Sequence, residues 1–262
     1  MRAEEAHTRS VTPRSVDGTR RSGAKSSPAR RLSHALGTLP GLLPITLADS
    51  VVTLVPLSTE HADALWACSS SGHGGGIPPT PTGRGTYALT SVPATAAAMR
   101  DYIDVGLADH ARGVSVPFVT CDSRTGRVVG STRFMNIERW VWPVPSALQR
   151  PPDEIDAVEI GATWLAPDAQ RTAINTHAKL LMLTHAFEAW QVHRVTLKTD
   201  ARNTRSRRAI ERLGARLDGV LRAHMPAFDG AVRDTAFYSI VRAEWPSVGE
   251  RLRAMASSRS TP

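Results

Sequence analysis

The stretch from Ala157 to Trp190 restricts the fold most, because it places a strand, a polar turn and a helix in direct succession. Val158, Ile160, Ala162 and Trp164 alternate with Glu159, Gly161, Thr163 and Leu165, the period of a half-buried strand. Pro167 ends that alternation. The run Gln170, Arg171, Thr172, Ala173, Ile174, Asn175 and Thr176 then leads into a helix whose apolar positions Leu180, Leu183, Phe187 and Trp190 recur at helical spacing. The run sits at a helix N-terminus, where backbone N–H groups without a partner meet the positive end of the helix dipole. A pyrophosphate can be held there with no side chain committed to it.

Around this unit the chain reads as a succession of short elements. A first strand starts near Val51, and Ser58 and Thr59 offer caps for a helix through Leu65 and Trp66. Gly72 to Gly85 is too rich in glycine and proline for a regular element and lacks the strand and Lys-Ser/Thr of a phosphate-binding P-loop, so a loop is expected. Pro93 to Arg112 reads as a helix with proline near its first turn, followed by a hairpin of Val114–Val119 and Val128–Phe134. An unusually apolar insert, Trp140 to Pro152, comes before the central strand. It either binds something, a substrate or a second subunit in a homodimer, or tucks onto its own core. After the central helix come a strand at Val192–Lys198, a helix capped by Asn203 and ended by Gly214, and two strands turning at Asp229-Gly230. The order β, α, α, β, β, β, α, β, α, β, β predicts a mixed sheet with helices on both faces.

Composition narrows the setting. With 262 residues, 41% of them hydrophobic, the chain can bury a sizeable core. The formal charge is +8, but a net +5 of it lies before Ile45, in a Ser-, Arg- and Pro-rich segment with little to bury. Residues 1–45 are therefore expected to be a solvated extension rather than a nucleic-acid arm, 46–246 the domain, and 247–262 a tail, a short basic helix or coil. Two distant cysteines, Cys68 and Cys121, suggest neither a disulfide framework nor zinc, and scattered histidines suggest no other metal. A reducing cytoplasm is the simpler setting. No apolar run approaches the roughly 20 residues of a membrane span.

Val158 to Leu165, followed by Gln170, Arg171 and Thr172 before a helix, resembles the acetyl-coenzyme A motif of the GNAT N-acetyltransferases. Asn203, Ser206 and the run Ala209 to Gly214 resemble the next helix of that fold in its Rim-type, ribosomal-protein acetyltransferase branch. The resemblance spans about Thr46 to Trp245. It implies an α/β (α+β) domain with a mixed, splayed central sheet, acetyl-coenzyme A as acetyl donor and a primary amine as acceptor. Two positions depart from the family pattern: Ala173 stands where the loop usually carries glycine, and Ile210 where many members have a tyrosine acid.

The resemblance also implies roles. Trp164 and Leu165 match the backbone positions that pair with pantetheine, the N–H of Leu165 facing the developing oxyanion, and Asn203 matches a residue that hydrogen-bonds the cofactor or simply caps its helix. The loop from Gln170 to Thr176 would take the pyrophosphate. Glu159, the one carboxylate in the central strand, matches the family's general base; it could instead pair with an arginine of a neighbouring strand such as Arg133. Ser206 matches the acid position or is an ordinary residue of the helix's first turn, and Tyr238 is a second candidate acid; coenzyme A thiolate is also a good enough leaving group to depart with no acid at all. The stripe Arg202, Arg205, Arg208 and Arg212 is a solvated face, one member of which could reach the 3′-phosphate. A catalytically silent acyl-coenzyme A binding module is the alternative to an enzyme.

Overall fold

In the computed structural model the described residues are 42–70, 89 and 92–258, all within one compact unit. The expectations for residues 1–41 and for the glycine- and proline-rich loop lie outside them. Eight strands form one sheet: β1 (Leu47–Ala48), β2 (Val52–Pro56), β3 (Ser115–Asp122), β4 (Val128–Glu138), β5 (Ala157–Leu165), β6 (Arg194–Asp200), β7 (Arg216–Pro226) and β8 (Val232–Val241). Their spatial order is β1-β2-β3-β4-β5-β6-β8-β7. Only β5 and β6 run parallel, as strands joined through a helix must if they are neighbours of the same sense. That helix is α3 (Ile174–Thr184), continued by a wider π turn over His185–Ala189.

Helices cover both faces. On one, α2 (Ala96–Ala111) packs with Tyr102 Oη 2.9 Å from Ser131 Oγ of β4, and the Arg133 guanidinium lies 4.6 Å above the Tyr102 ring. The sequence puts the start of α2 at Pro93. The structure starts it at Ala96, because Thr95 Oγ1 accepts the Ala98 N–H at 3.0 Å and so caps the helix there. On the opposite face α3 lies against Thr132 and Phe134 of β4; the Phe134 and Trp190 rings are 4.6 Å apart. α1 (Ala62–Ser70), α4 (Thr204–Arg212) and α5 (Trp245–Ser257) complete the set.

Of the short basic helix or coil expected past Pro246, the structure has the helix, α5. Trp245 stacks on Phe187 at 5.1 Å, and Val248, Leu252 and Ala256 are buried at helical spacing, so this helix closes the core behind α3.

Two departures from regular pairing shape the centre of the sheet. β5 pairs with β6 only at Ala157, Val158 and Glu159, whereas β6 continues against β8 to Asp200 and β5 against β4 to Leu165. Past Glu159 the two central strands therefore part and leave a cleft. Within β5, Ser131 faces Trp164 but Arg133 faces Gly161, so an extra residue is accommodated, with Ala162 in the left-handed region at φ 49°. The bulge breaks the strict alternation read from sequence. Thr163 turns to the α3 face beside Thr132, and Trp164 joins Glu159 on the other face rather than Val158 and Ile160.

Candidate active site

Glu159 occupies the closed end of the cleft, the last residue at which β5 and β6 still pair, and is 6% exposed. Burying a carboxylate there costs several kcal/mol unless donors answer it. Two do. Asn136 Nδ2 donates to Oε2 at 2.7 Å, and the Lys198 ammonium lies 2.9 Å from the same oxygen. The cationic partner is thus Lys198 of β6 and not Arg133, which is held over Tyr102. Asn136 can reach because β4 also bulges: Met135 faces Glu159 while Glu138 faces Ala157, and Asn136 sits in the left-handed region at φ 48°. Gly161 leaves room for the group. A Cβ there would come 2.7 Å from Met135 Sδ and 3.0 Å from Glu159 Oε1.

The other end of β5 leads to the loop. Pro167–Ala169 forms a 3₁₀ turn, Arg171 adopts φ 63°, and Thr172 Oγ1 donates to Ala169 O at 2.7 Å while accepting from Ile174 N at 3.3 Å. His177 is the first residue of α3 whose N–H closes a backbone bond, to Ala173 O at 3.0 Å. The N–H groups before it, around Asn175 and Thr176, gather at the helix start without intrahelical partners. Thr176 Oγ1 is buried there with no hydrogen-bond partner. An anion at this point would supply the acceptor these donors lack. Ala173 itself has φ −68°, so alanine carries no backbone penalty; the left-handed residue of the loop is Arg171.

Gln170 ties the loop to the cleft wall. Its Nε2 donates to Leu165 O at 3.1 Å, and its Oε1 accepts from Arg205 of α4 at 3.2 Å, placing one member of the arginine stripe beside the loop. Arg202 is committed elsewhere, to Asp200 and Asp229. Asn203 caps α4, its Oδ1 accepting the Ser206 N–H at 3.0 Å, and Ser206 is half-buried in the first turn.

Tyr238 stands apart from these groups. It lies on β8 opposite Leu197, on the sheet face away from Lys198 and Glu159, is 0% exposed, and its hydroxyl accepts from Arg207 Nε and donates to Glu211 Oε1, both at 2.8 Å. Burial pushes its pKa up, with the Glu211 bond adding to the rise. These bonds pin α4 to the sheet and set the Tyr238 hydroxyl apart from Glu159, on the other face. The Trp140 insert is partly packed and partly exposed, with Trp140 itself 42% exposed. Trp140 stacks on His193 at 5.4 Å and Trp142 meets the same ring at 6.2 Å, while Val141, Val144 and Leu148 stay exposed.

Sequence reasoning missed Asn136, Lys198 and Lys179. The signal for Lys198 was its place two residues beyond Thr196 on the alternation of β6, the same face as Glu159. Lys179 of α3 is buried, its Nζ donating to Thr132 Oγ1 at 2.9 Å and Thr163 Oγ1 at 2.6 Å. Among the described residues no cluster of three or more His, Cys, Asp or Glu could hold a metal, and no helix is long and apolar enough to cross a membrane.

Residues 52–216 match the family model described as acetyltransferase (GNAT) domain. Among solved structures, a GCN5-related N-acetyltransferase from Brucella melitensis is similar at 27% identity over 83% of this chain and 87% of that chain, with a TM-score of 0.65. RimJ from Mycobacterium smegmatis, in complex with coenzyme A disulfide, is 25% identical over 82% of this chain and 96% of that chain, with a TM-score of 0.60. YdaF of Bacillus subtilis (strain 168), whose ribosomal N-acetyltransferase name is itself provisional, is 32% identical over 87 residues. That match spans 33% of this chain and 46% of YdaF, less than half the length of the relative.

Proposed function

The chain belongs to the GNAT acetyltransferase family, and from that premise we propose that it moves an acetyl group from acetyl-coenzyme A to a primary amine, a protein N-terminus or a small-molecule amine, by direct attack. The observation that carries this is the buried Glu159 carboxylate at the point where β5 and β6 part, held by Asn136 and Lys198. The donors at the start of α3 suit the pyrophosphate. The edge of β5 beyond Glu159, no longer paired to β6, suits the amides of pantetheine. Ala166 N–H donates to Val129 O at 2.7 Å, toward β4, so the backbone of Leu165 presents to the opposite, cleft side, where an oxyanion would form.

The amine nitrogen attacks the thioester carbon, and Glu159 accepts the proton that nitrogen loses, directly or through one water. Gln170, bonded to Leu165 O, holds the end of the strand against the loop. Acceptor-dependent thiol release with a panel of N-terminal peptides and small amines tests the proposal. Calorimetric binding of acetyl-coenzyme A without thiol release for any amine would leave a silent acyl-coenzyme A binding module. Within this reading, Thr172→Pro removes a backbone donor and the hydroxyl that braces the turn, so acetyl-coenzyme A affinity is expected to fall severalfold. Unchanged affinity in the folded variant would place the phosphates elsewhere.

A further inference from the structure

We propose that Lys198 is the general acid of the reaction, protonating the departing thiolate and then recovering that proton from Glu159. The inference rests on the acetyl-transfer reading above and supplies the proton donor that reading lacks.

Three observations carry it. β6 follows the cleft wall after its last pair with β5, Glu159 opposite Thr196, and Lys198 projects from that wall two residues later on the same face as Glu159. Its ammonium crosses the opening to within 2.9 Å of Glu159 Oε2, and its side chain is 21% exposed against 7% for Glu159. The two groups therefore meet at the closed end of the cleft, Lys198 from its more open side. Finally, Tyr238, the tyrosine that sequence offers as an acid, is sealed on the other face by Arg207 and Glu211.

The proton account closes without a further reactant. The C–N bond forms as the C–S bond breaks; the nitrogen's proton passes to Glu159, and the sulfur takes one from the Lys198 ammonium. A carboxylic acid then faces a neutral amine across a hydrogen-bond distance. One transfer between them restores the carboxylate and the ammonium for the next turnover. The arrangement also gives a reason for holding a cation beside the base: each member returns the other to its working state.

Arginine is the discriminating substitution. It keeps a cation opposite Glu159 but does not release a proton in a protein. Lys198→Arg and Lys198→Met are expected to lose kcat alike, by about 10²-fold, with acetyl-coenzyme A Kd by calorimetry within about twofold of wild type. A Lys198→Arg enzyme with wild-type kcat overturns the proposal and leaves Lys198 as a charge partner that positions Glu159. A Ser206→Ala loss of that size beside an intact Lys198→Arg enzyme moves the acid to Ser206. The double variant Glu159→Gln/Lys198→Met removes both charges together, which protects folding, and its loss is expected to be well below the product of the single losses. Wild-type protein without acceptor-dependent thiol release overturns the acetyl-transfer reading itself, a result distinguishable from an active wild type with an unimpaired arginine variant.

Discussion

Two lysines approach the middle of the sheet from opposite faces, and the protein answers them differently. Lys198 meets a carboxylate and an aromatic ring, Glu159 at 2.9 Å and Phe237 at 5.9 Å from its centroid. Lys179, buried under α3, meets only the hydroxyls of Thr132 and Thr163, with no ion pair to a carboxylate among the described residues. Burial brings the Lys179 pKa down to about 7. One face keeps a charged pair beside the cleft. The other uses an amine close to neutrality as a hydrogen-bond donor, clamping the β5 bulge at Thr163 against β4. The bulge is what lets Glu159 and Trp164 share a face, so the α3 side holds the shape on which the Glu159 side works.

The largest expected effect falls on the charged face. Glu159→Gln keeps size and hydrogen bonding but removes proton acceptance, so kcat should fall by about 10²–10⁴ with acetyl-coenzyme A affinity nearly unchanged. The loss should shrink as pH rises, because more of the acceptor amine is then already neutral. Thiol-release assays over a pH series, beside melting curves, check this. A folded variant with wild-type kcat throughout would erase the contrast between the two faces and leave Glu159 a structural partner of Lys198 and Asn136.

On the α3 face the expected effect is on stability. The folded-state pKa of Lys179, about 7, lies below the ordinary lysine value of 10.5, so the unfolded chain binds more protons between those two values. This group's contribution to stability therefore rises with pH across that window and sits at its full penalty below about pH 7. Lys179→Met should flatten the rise and stabilise the protein at low pH, by about 1–4 kcal/mol. Urea melts near both ends of the window read it. A variant less stable than wild type at low pH would show that the two threonine bonds outweigh the burial of the charge.

The strands from β2 onward and helices α1 to α4 were legible because each follows from local periodicity, capping or punctuation, and Glu159 stood out as the one carboxylate of its strand; the two-residue β1 carries no such signal. What was not legible depended on irregular pairing. A period of two assumes no inserted residue, so it placed Trp164 with Val158 and Ile160, and nothing local marks Ala162 as the bulge. The partners of Glu159 come from positions 23 and 39 residues away, brought to it by a second bulge and by the parting of two strands. Tyr238 had the chemistry of an acid, but Arg207 and Glu211, four residues apart on α4, meet its hydroxyl from one helix face. Past Pro246 the sequence left a short helix and a coil both open, and the burial of Val248, Leu252 and Ala256 against the core decides for the helix.

The smallest expected effect concerns Asn136, which shares Glu159 Oε2 with Lys198. Its left-handed backbone costs an ordinary side chain roughly 1–2 kcal/mol, less for asparagine, and glycine nothing. Its bond to a carboxylate contributes about 1.5–3 kcal/mol. Asn136→Gly loses the bond and gains chain entropy in the unfolded state while relieving the backbone, so a net loss of about 1–2 kcal/mol is expected. Asn136→Ala loses the bond without the relief and should be the less stable of the two by about 1 kcal/mol, the reverse of the order usual within strands. Both should lower kcat severalfold, since Lys198 still holds Glu159 but no longer against a second donor. Urea melts and thiol-release assays on the pair decide it. If alanine proves as stable as glycine, the bulge does not strain residue 136 in solution, and the position of Glu159 rests on Lys198 alone.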